Sequence, residues 1–389
     1  MSQVKKFTDI ITIPQSRTTS WDTAEQIMAE EHHNIFPERV FKGHHDCIHN
    51  VAISSDGNYI ATASDDKTAK IWNIHTGKEV LTCTGHVDIV FSVVFTPTKH
   101  RNNDSRLLYL VTGSYDSTAI LWEVNLPHET ATPIRTFKGH SGNISCVVVS
   151  IDDRYLITGS SDNTAKRWNL QTGEELQTFV GHTNFVTAIA LSLDGRLLVT
   201  GSADDTAKLW DVEHYTVGKN PIVTFHGHSG GSIVMSITAV ALSVDSKYLV
   251  TGAEDGTVIL WDVDMGSEIR SFRHSVNSVN SIALSPNSCR YVITGSGDHT
   301  AKLWDLKTGK SIQRFVGHKH VVTSVAVSSD GQFLVTSSWD ETASVWKMYV
   351  PDWKILPSSS PMMSHHPLVK KHSCTPQNRD GSQGKCVVS

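Results

Sequence analysis

A hydroxyl, an imidazole and a carboxylate are the parts of a nucleophilic relay. This chain carries that combination seven times, each time joined by an indole. The sets are His44, Thr62, Asp66, Trp72; His86, Thr112, Asp116, Trp122; His140, Thr158, Asp162, Trp168; His182, Thr200, Asp204, Trp210; His228, Thr251, Asp255, Trp261; His274, Thr294, Asp298, Trp304; and His318, Thr336, Asp340, Trp346. In every set the Thr stands four residues before the Asp and the Trp six after it. The His lies upstream and follows Gly, except at Arg273-His274. Two chemistries suit these residue types. In a hydrolase triad the Asp orients the His and the His activates the hydroxyl. In a structural relay the indole N–H only donates, the Thr hydroxyl accepts and passes on, neutral His accepts on one nitrogen and donates from the other, and the Asp only accepts. Catalysis needs one site, whereas this set recurs with its Trp every time. The relay is therefore the expected role, and no enzyme activity is expected. Breaking one link would strand a buried polar group, at a cost of about 1–3 kcal/mol.

The elements that must hold these residues repeat with them. Short β-rich runs such as Val51–Ile53, Tyr59–Ala61 and Ala69–Trp72 are separated by turn residues, Ser55-Asp56-Gly57 and Asp65-Asp66-Lys67. Asp162 and Asp204 lie 42 residues apart, as do Asp298 and Asp340. The longer intervals contain polar insertions at 97–106, 213–220 and 229–232, which read as surface loops. Residues 38–43, ERVFKG, match the segment before each later His (for example 133–139, PIRTFKG), whereas the last repeat stops at Val345-Trp346 without such a segment. Arg39–Lys42 is thus expected to complete the sheet built by 322–348, because closing the ring removes open sheet edges.

A period of about 40–45 residues with Gly-His and Trp-Asp marks signals a propeller, and the seven quoted sets make residues 38–350 resemble the WD40-repeat family. The resemblance implies an all-β, seven-bladed propeller closed by an N-terminal outer strand, with the four marker residues tying each blade to its incoming loop. It also implies that the residue before each tetrad Asp, and those three and five beyond each tetrad His, lie on the narrow face. In these places large side chains concentrate on three blades that adjoin once the ring closes: His49; Ile89, Phe91 and Tyr115; and Val321 and Trp339. They are the expected partner-binding residues, since exposed aromatic clusters tend to be binding hot spots. Trp339 also resembles a partner-contacting Trp of G-protein β subunits. The Arg that cullin-4 receptors often carry two residues after the Trp-Asp dipeptide has no counterpart in any repeat.

The 389 residues carry a net charge of −5, which argues against a nucleic-acid or anionic-membrane surface. No cofactor or metal is expected: Gly230-Gly231 lacks the Lys-Ser/Thr of a phosphate loop, and the His pairs lack matching ligands. The six cysteines show no paired spacing and read as reduced thiols. Neither a signal peptide nor a membrane helix is expected. Residues 1–37 read as an extension with a short helix at 20–33, and 351–389 as a disordered tail. The final Cys386-Val387-Val388-Ser389 matches a C-a-a-X pattern whose terminal Ser favours farnesyl on Cys386 by a protein prenyltransferase. One lipid chain anchors weakly and reversibly. The expectation is a non-enzymatic scaffold that binds a protein or peptide on its narrow face, cytoplasmic and partly peripheral on membranes. The alternative is a soluble subunit of a larger complex with Cys386 unused.

Overall fold

The computed structural model describes residues 33–97, 107–214, 220–228, 235–286, 290–348 and 350. The expected helix at 20–33, apart from His33, and the tail with Cys386 lie outside them, as do most residues of the three insertions. The described residues form seven sheets of four antiparallel strands, which run from inside to outside in chain order in five of them and take an outermost strand from the start of the described chain in the other two. Blade one is Ile48–Ile53, Tyr59–Ser64, Thr68–Asn73 and Glu79–Thr84. The inner strands of blades two to seven are Val90–Phe95, Ile144–Val149, Val186–Leu191, Ile237–Leu242, Val279–Leu284 and Val322–Val327. Each inner strand touches the next, and Val322–Val327 touches Ile48–Ile53, so the ring is closed around a channel.

Closure uses the segment that sequence pointed to. Arg39–Lys42 pairs antiparallel with the last strand, Thr342–Lys347, in register from Arg39 opposite Val345 to Lys42 opposite Thr342. The structure adds a strand that the sequence reading assigned to the extension. His33–Ile35 runs parallel along Lys310–Val316 and gives blade six a fifth strand. Ile35 packs into the cluster around Phe315 and Trp346, and Pro37 lies against Gly317. An outer strand presents unpaired backbone groups, and three residues suffice to use them; so short a segment carries no periodic signal.

Each blade is fastened to the next by its tetrad Trp. Phe41 on the closing strand of blade seven meets Trp72 of blade one at 5.9 Å and 60°. Phe137 meets Trp168, Phe179 Trp210, Phe225 Trp261 and Phe315 Trp346 in similar edge-on or tilted contacts. Cys83 stands where the others have Phe and packs in the same cluster as Trp122. The Gly before each His serves the same contact. A Cβ on Gly43 or Gly139 would meet the ring of Trp72 or Trp168 at 2.9 Å, so only Gly lets the backbone pass under the indole. Blade six breaks this rule with Arg273. There Phe272 and Trp304 lie closer, 4.8 Å apart and tilted at 37°.

Phe41 is 1% exposed and joins the first and last parts of the described chain. Phe41→Ala is expected to cost about 3–5 kcal/mol, the usual penalty for emptying a Phe site in a packed core. Chemical denaturation followed by tryptophan fluorescence measures this directly.

Candidate functional site

Five of the seven tetrads share one geometry. In blade three the Trp168 indole N–H donates to Thr158 Oγ1 at 2.8 Å, Thr158 lies 2.7 Å from His140 Nε2, and His140 Nδ1 lies 2.7 Å from Asp162 Oδ2. A proton on Nδ1 lets every donor in this line donate. Blades one, two, four and seven repeat it, with His–Asp distances of 2.7, 2.7, 2.8 and 3.0 Å. The seven Thr side chains sit in residues at most 1% exposed, and each hydroxyl accepts an indole N–H. A hydroxyl so placed cannot meet a substrate, which removes the triad reading for these residues.

Two tetrads differ from the sequence pattern. His228 Nδ1 reaches Thr257 Oγ1 at 2.8 Å rather than Asp255, and Thr257 in turn donates to Asp255 Oδ1 at 2.6 Å. Asp255 is thus one link removed from the set in which its spacing placed it. Its backbone is held from the outer strand of its own blade, Ser267–Arg273: Arg273 Nη2 donates to the Asp255 carbonyl at 2.9 Å. In blade six the imidazole is turned over. His274 Nδ1 contacts Thr294 at 2.6 Å, and Nε2 is 3.4 Å from both Thr300 Oγ1 and Asp298 Oδ2. Both irregular sets adjoin Arg273, the residue that replaces Gly.

A residue that spacing missed completes every set. A Thr two positions after each tetrad Asp (Thr68, Thr118, Thr164, Thr206, Thr257, Thr300, Thr342) donates its hydroxyl to that carboxylate at 2.5–2.7 Å. The residue between is left-handed in all seven, with φ from 65° at Ser117 and Glu341 to 81° at Gly256. The Asp-x-Thr recurrence was visible in the chain and is an ordinary side-chain-to-backbone turn.

The channel mouth departs from sevenfold regularity. In every blade the pairing of the inner strand slips by one residue near its start, leaving His49, Phe91, Ser145, Thr187, Thr238, Asn280 and Thr323 with no residue opposite them in the ladder. Such a bulge re-aims its side chain. Five of these side chains latch onto the next blade. Ser145 donates to the Val186 carbonyl at 2.5 Å, Thr187 to that of Ile237, Thr238 to that of Val279, Asn280 to that of Val322 at 2.9 Å, and Thr323 to that of Ile48 at 2.7 Å. His49 and Phe91 make no such latch among the described contacts. His49 Nε2 lies 2.6 Å from Asp65 Oδ1. Its ring stacks on Phe91 at 4.5 Å, and Phe91 stacks on Tyr115 at 5.0 Å. Below this stack Asn50 still joins the blades, donating to Ser324 Oγ at 3.1 Å and accepting from Val93 N–H at 3.0 Å.

Trp339 lines the same channel from blade seven. It is 42% exposed and its ring lies 5.6 Å from that of His320. The Trp339 carbonyl accepts the Cys47 thiol at 3.5 Å, and its N–H donates to the Val321 carbonyl at 3.1 Å. Of the residues expected to bind a partner, His49, Phe91, Tyr115, Val321 and Trp339 line the central channel, whose volume is about 1180 Å³. Ile89 does not line it; its carbonyl holds Tyr115 N–H at 2.9 Å. Only Trp339 is openly exposed, because the other rings cover one another. Phe185, in the position equivalent to Ile89 and Val321, lines the channel and is 53% exposed. The grouping by adjacent blades left it out.

A family model described as Nucleolar protein 10-like, N-terminal domain, matches residues 146–363, and one described as WD domain, G-beta repeat, matches 36–73 and 77–123. The chain belongs to the WD40-repeat β-propeller family. Among curated proteins, the propeller is 27% identical to the Serine-threonine kinase receptor-associated protein of Mus musculus over 64% of this chain and 63% of that protein. It is 27% identical to the Guanine nucleotide-binding protein subunit beta of Oryza sativa subsp. indica over 79% of this chain and 82% of that protein. It is 26% identical to the Ribosome biogenesis protein WDR12 homolog of Anopheles gambiae over 55% and 41%. The match thus spans less than two thirds of the length of the kinase receptor-associated relatives.

The WD40 propeller carries one candidate ligand cluster at its rim among the described residues. Asp46, Cys47 and Asp65 bring donor atoms within 4.8 Å of one another. Burial, then Asp65 and Asp46, push the Cys47 thiol up, so it stays protonated at neutral pH and is a poor metal ligand.

The tetrads also set a pH dependence. Burial outweighs Asp255 and holds His228 down at about 4, from an ordinary 6.5. Burial lowers His86 and His274 as well. Below pH 6.5 the unfolded chain takes up a proton that folded His228 refuses until about pH 4. Stability is therefore lost as pH falls through that window, by on the order of 3 kcal/mol for this residue. Denaturation curves between pH 7 and 4 are expected to show that loss, and His228→Asn should lower the plateau at neutral pH while flattening the slope. Equal slopes would contradict the assignment.

Proposed function

We propose that this propeller is a non-enzymatic interaction scaffold whose partner, a protein or peptide, docks on the narrow face over blades seven, one and two. One observation carries the reading. The bulge position holds an inter-blade latch in five blades and gives way to aromatic stacking in blades one and two. Asn50 joins these blades without help from the stack, so ring closure does not explain the aromatic residues. A rigid cluster of aromatic side chains around a channel is the usual anchor of an interface. The relatives point the same way, since one is named for association with a receptor kinase and another as a subunit.

Blades three and four supply the control, with Ser145 and Ser161 where blade two has Phe91 and Tyr115, and Ala203 where blade seven has Trp339. The combined variant Phe91→Ser, Tyr115→Ser, Trp339→Ala is expected to lose the proteins that wild type retains in affinity capture, with a melting temperature within about 2 °C of wild type. Undiminished capture would overturn the reading.

The finer part of the proposal is a loose cytosolic membrane tether through farnesyl on Cys386. It rests on the Cys386-Val387-Val388-Ser389 pattern alone. Metabolic labelling with a farnesyl analogue, with membrane fractionation, is expected to lose label and membrane fraction together in Cys386→Ser. An unlabelled, soluble wild type would favour the alternative of a soluble subunit in a larger complex.

A further inference from the structure

The chemistry of the rim narrows the kind of partner, and this step rests on the docking face proposed above. Three carboxylates flank the His49–Phe91–Tyr115 stack. Asp65 is tied to His49, the carboxylates of Asp46 and Asp65 come within 4.8 Å of one another, and Asp88 lies one residue before Ile89. Asp46 and Asp88 are fixed in place, each accepting the N–H of the next residue at 2.8 Å. None of the three is paired with Lys or Arg among the described residues. Lys67, on the same blade as Asp65, gives its ammonium to the Val87 carbonyl at 3.0 Å. The channel wall contains neither Lys nor Arg, and Glu254 adds a carboxylate to it. The negative field is felt by the neighbours. Burial, then Asp65 and Asp88, push the Tyr115 phenol up, and Asp65 and Asp46 act on Cys47 in the same sense.

A surface with these two properties favours one side chain. Aromatic faces attract cations, and a planar guanidinium stacks on them while its N–H fork meets carboxylates. A Lys ammonium gains the charge attraction but not the stacking. A neutral or acidic segment would meet fixed carboxylates with nothing to offset their desolvation.

We propose that the rim between blades seven and two binds an arginine side chain of an extended partner segment, stacked against the exposed Trp339 ring beside the His49–Phe91–Tyr115 stack and paired with Asp46, Asp65 and Asp88.

The test uses the full chain and four fluorescein-labelled pools of nonamer peptides. The pools are randomised except for a central Arg, Lys, Gln or Glu, with Lys, Arg, Asp and Glu left out elsewhere. Fluorescence anisotropy is expected to give binding to the Arg pool at least tenfold tighter than to the Gln pool, weaker binding to the Lys pool, and none to the Glu pool. Binding to the Arg pool should weaken as salt rises from 50 to 300 mM, as an ion-paired contact requires. The isosteric variant Asp46→Asn, Asp65→Asn, Asp88→Asn keeps the backbone acceptors and should bring the Arg pool to the level of the Gln pool, with the melting temperature checked in parallel. Equal binding of the Arg and Gln pools overturns the proposal, as does an unchanged Arg affinity in the Asn variant. Equal binding of the Lys and Arg pools overturns the assignment to arginine. If the Arg preference is absent while Phe91→Ser, Tyr115→Ser, Trp339→Ala still abolishes capture of cellular proteins, the docking face stands and the arginine proposal alone falls.

Discussion

The indole-to-carboxylate hydrogen-bond line inside each blade is the constraint on which the rest depends. A Trp large enough to fasten two sheets together brings a buried N–H that must be satisfied. Thr satisfies it, and the Thr in turn needs an acceptor for its own proton. The imidazole takes that proton and exports the demand to an Asp at the blade's edge, where the carboxylate also caps a turn and a backbone N–H. Local folding of the Asp-x-Thr turn and long-range docking of the incoming loop are thus one network. Its polar groups are costly to bury singly and stable together.

The two imperfect tetrads show how far this network bends. Arg273 in place of Gly goes with a closer Phe272–Trp304 pair and grips the Asp255 carbonyl. On one side of it His228 reaches its Asp only through Thr257, and on the other His274 has turned over. In both cases the Thr–Trp bond stays at 2.8 Å. The indole's partner is kept, and the carboxylate end varies.

How much of this was legible in the chain follows from what each feature depends on. Blade number and ring closure were legible, because Thr, Asp and Trp recur at fixed spacing and because Arg39–Lys42 shares the Phe-x-Gly-His context of most outer strands. The strand His33–Ile35 was not, since a three-residue parallel pairing depends on an available edge rather than on its own pattern. The displacement of Asp255 was equally hidden: its spacing is regular, and the Arg273 that bonds its carbonyl lies eighteen residues on, at the end of the outer strand of the same blade. Sequence position brought Phe91, Tyr115 and Trp339 to the channel mouth. It could not show that Ser145, Thr187, Thr238 and Thr323 bond to neighbouring blades, because their acceptors are carbonyls some forty residues or more away.

The slipped pair at the head of each inner strand separates two demands that usually conflict. A side chain in a regular ladder is constrained by its cross-strand neighbours, so altering it alters the sheet. The bulged residue has left that ladder and looks over the channel from a backbone held by others. Five of the seven such positions use their side chains as latches between blades, and at the other two, His49 and Phe91, side-chain identity is nearly decoupled from architecture. A propeller built this way can be re-addressed to a new ligand by changing two or three letters at the rim, while the tetrads beneath keep the same account of hydrogen bonds.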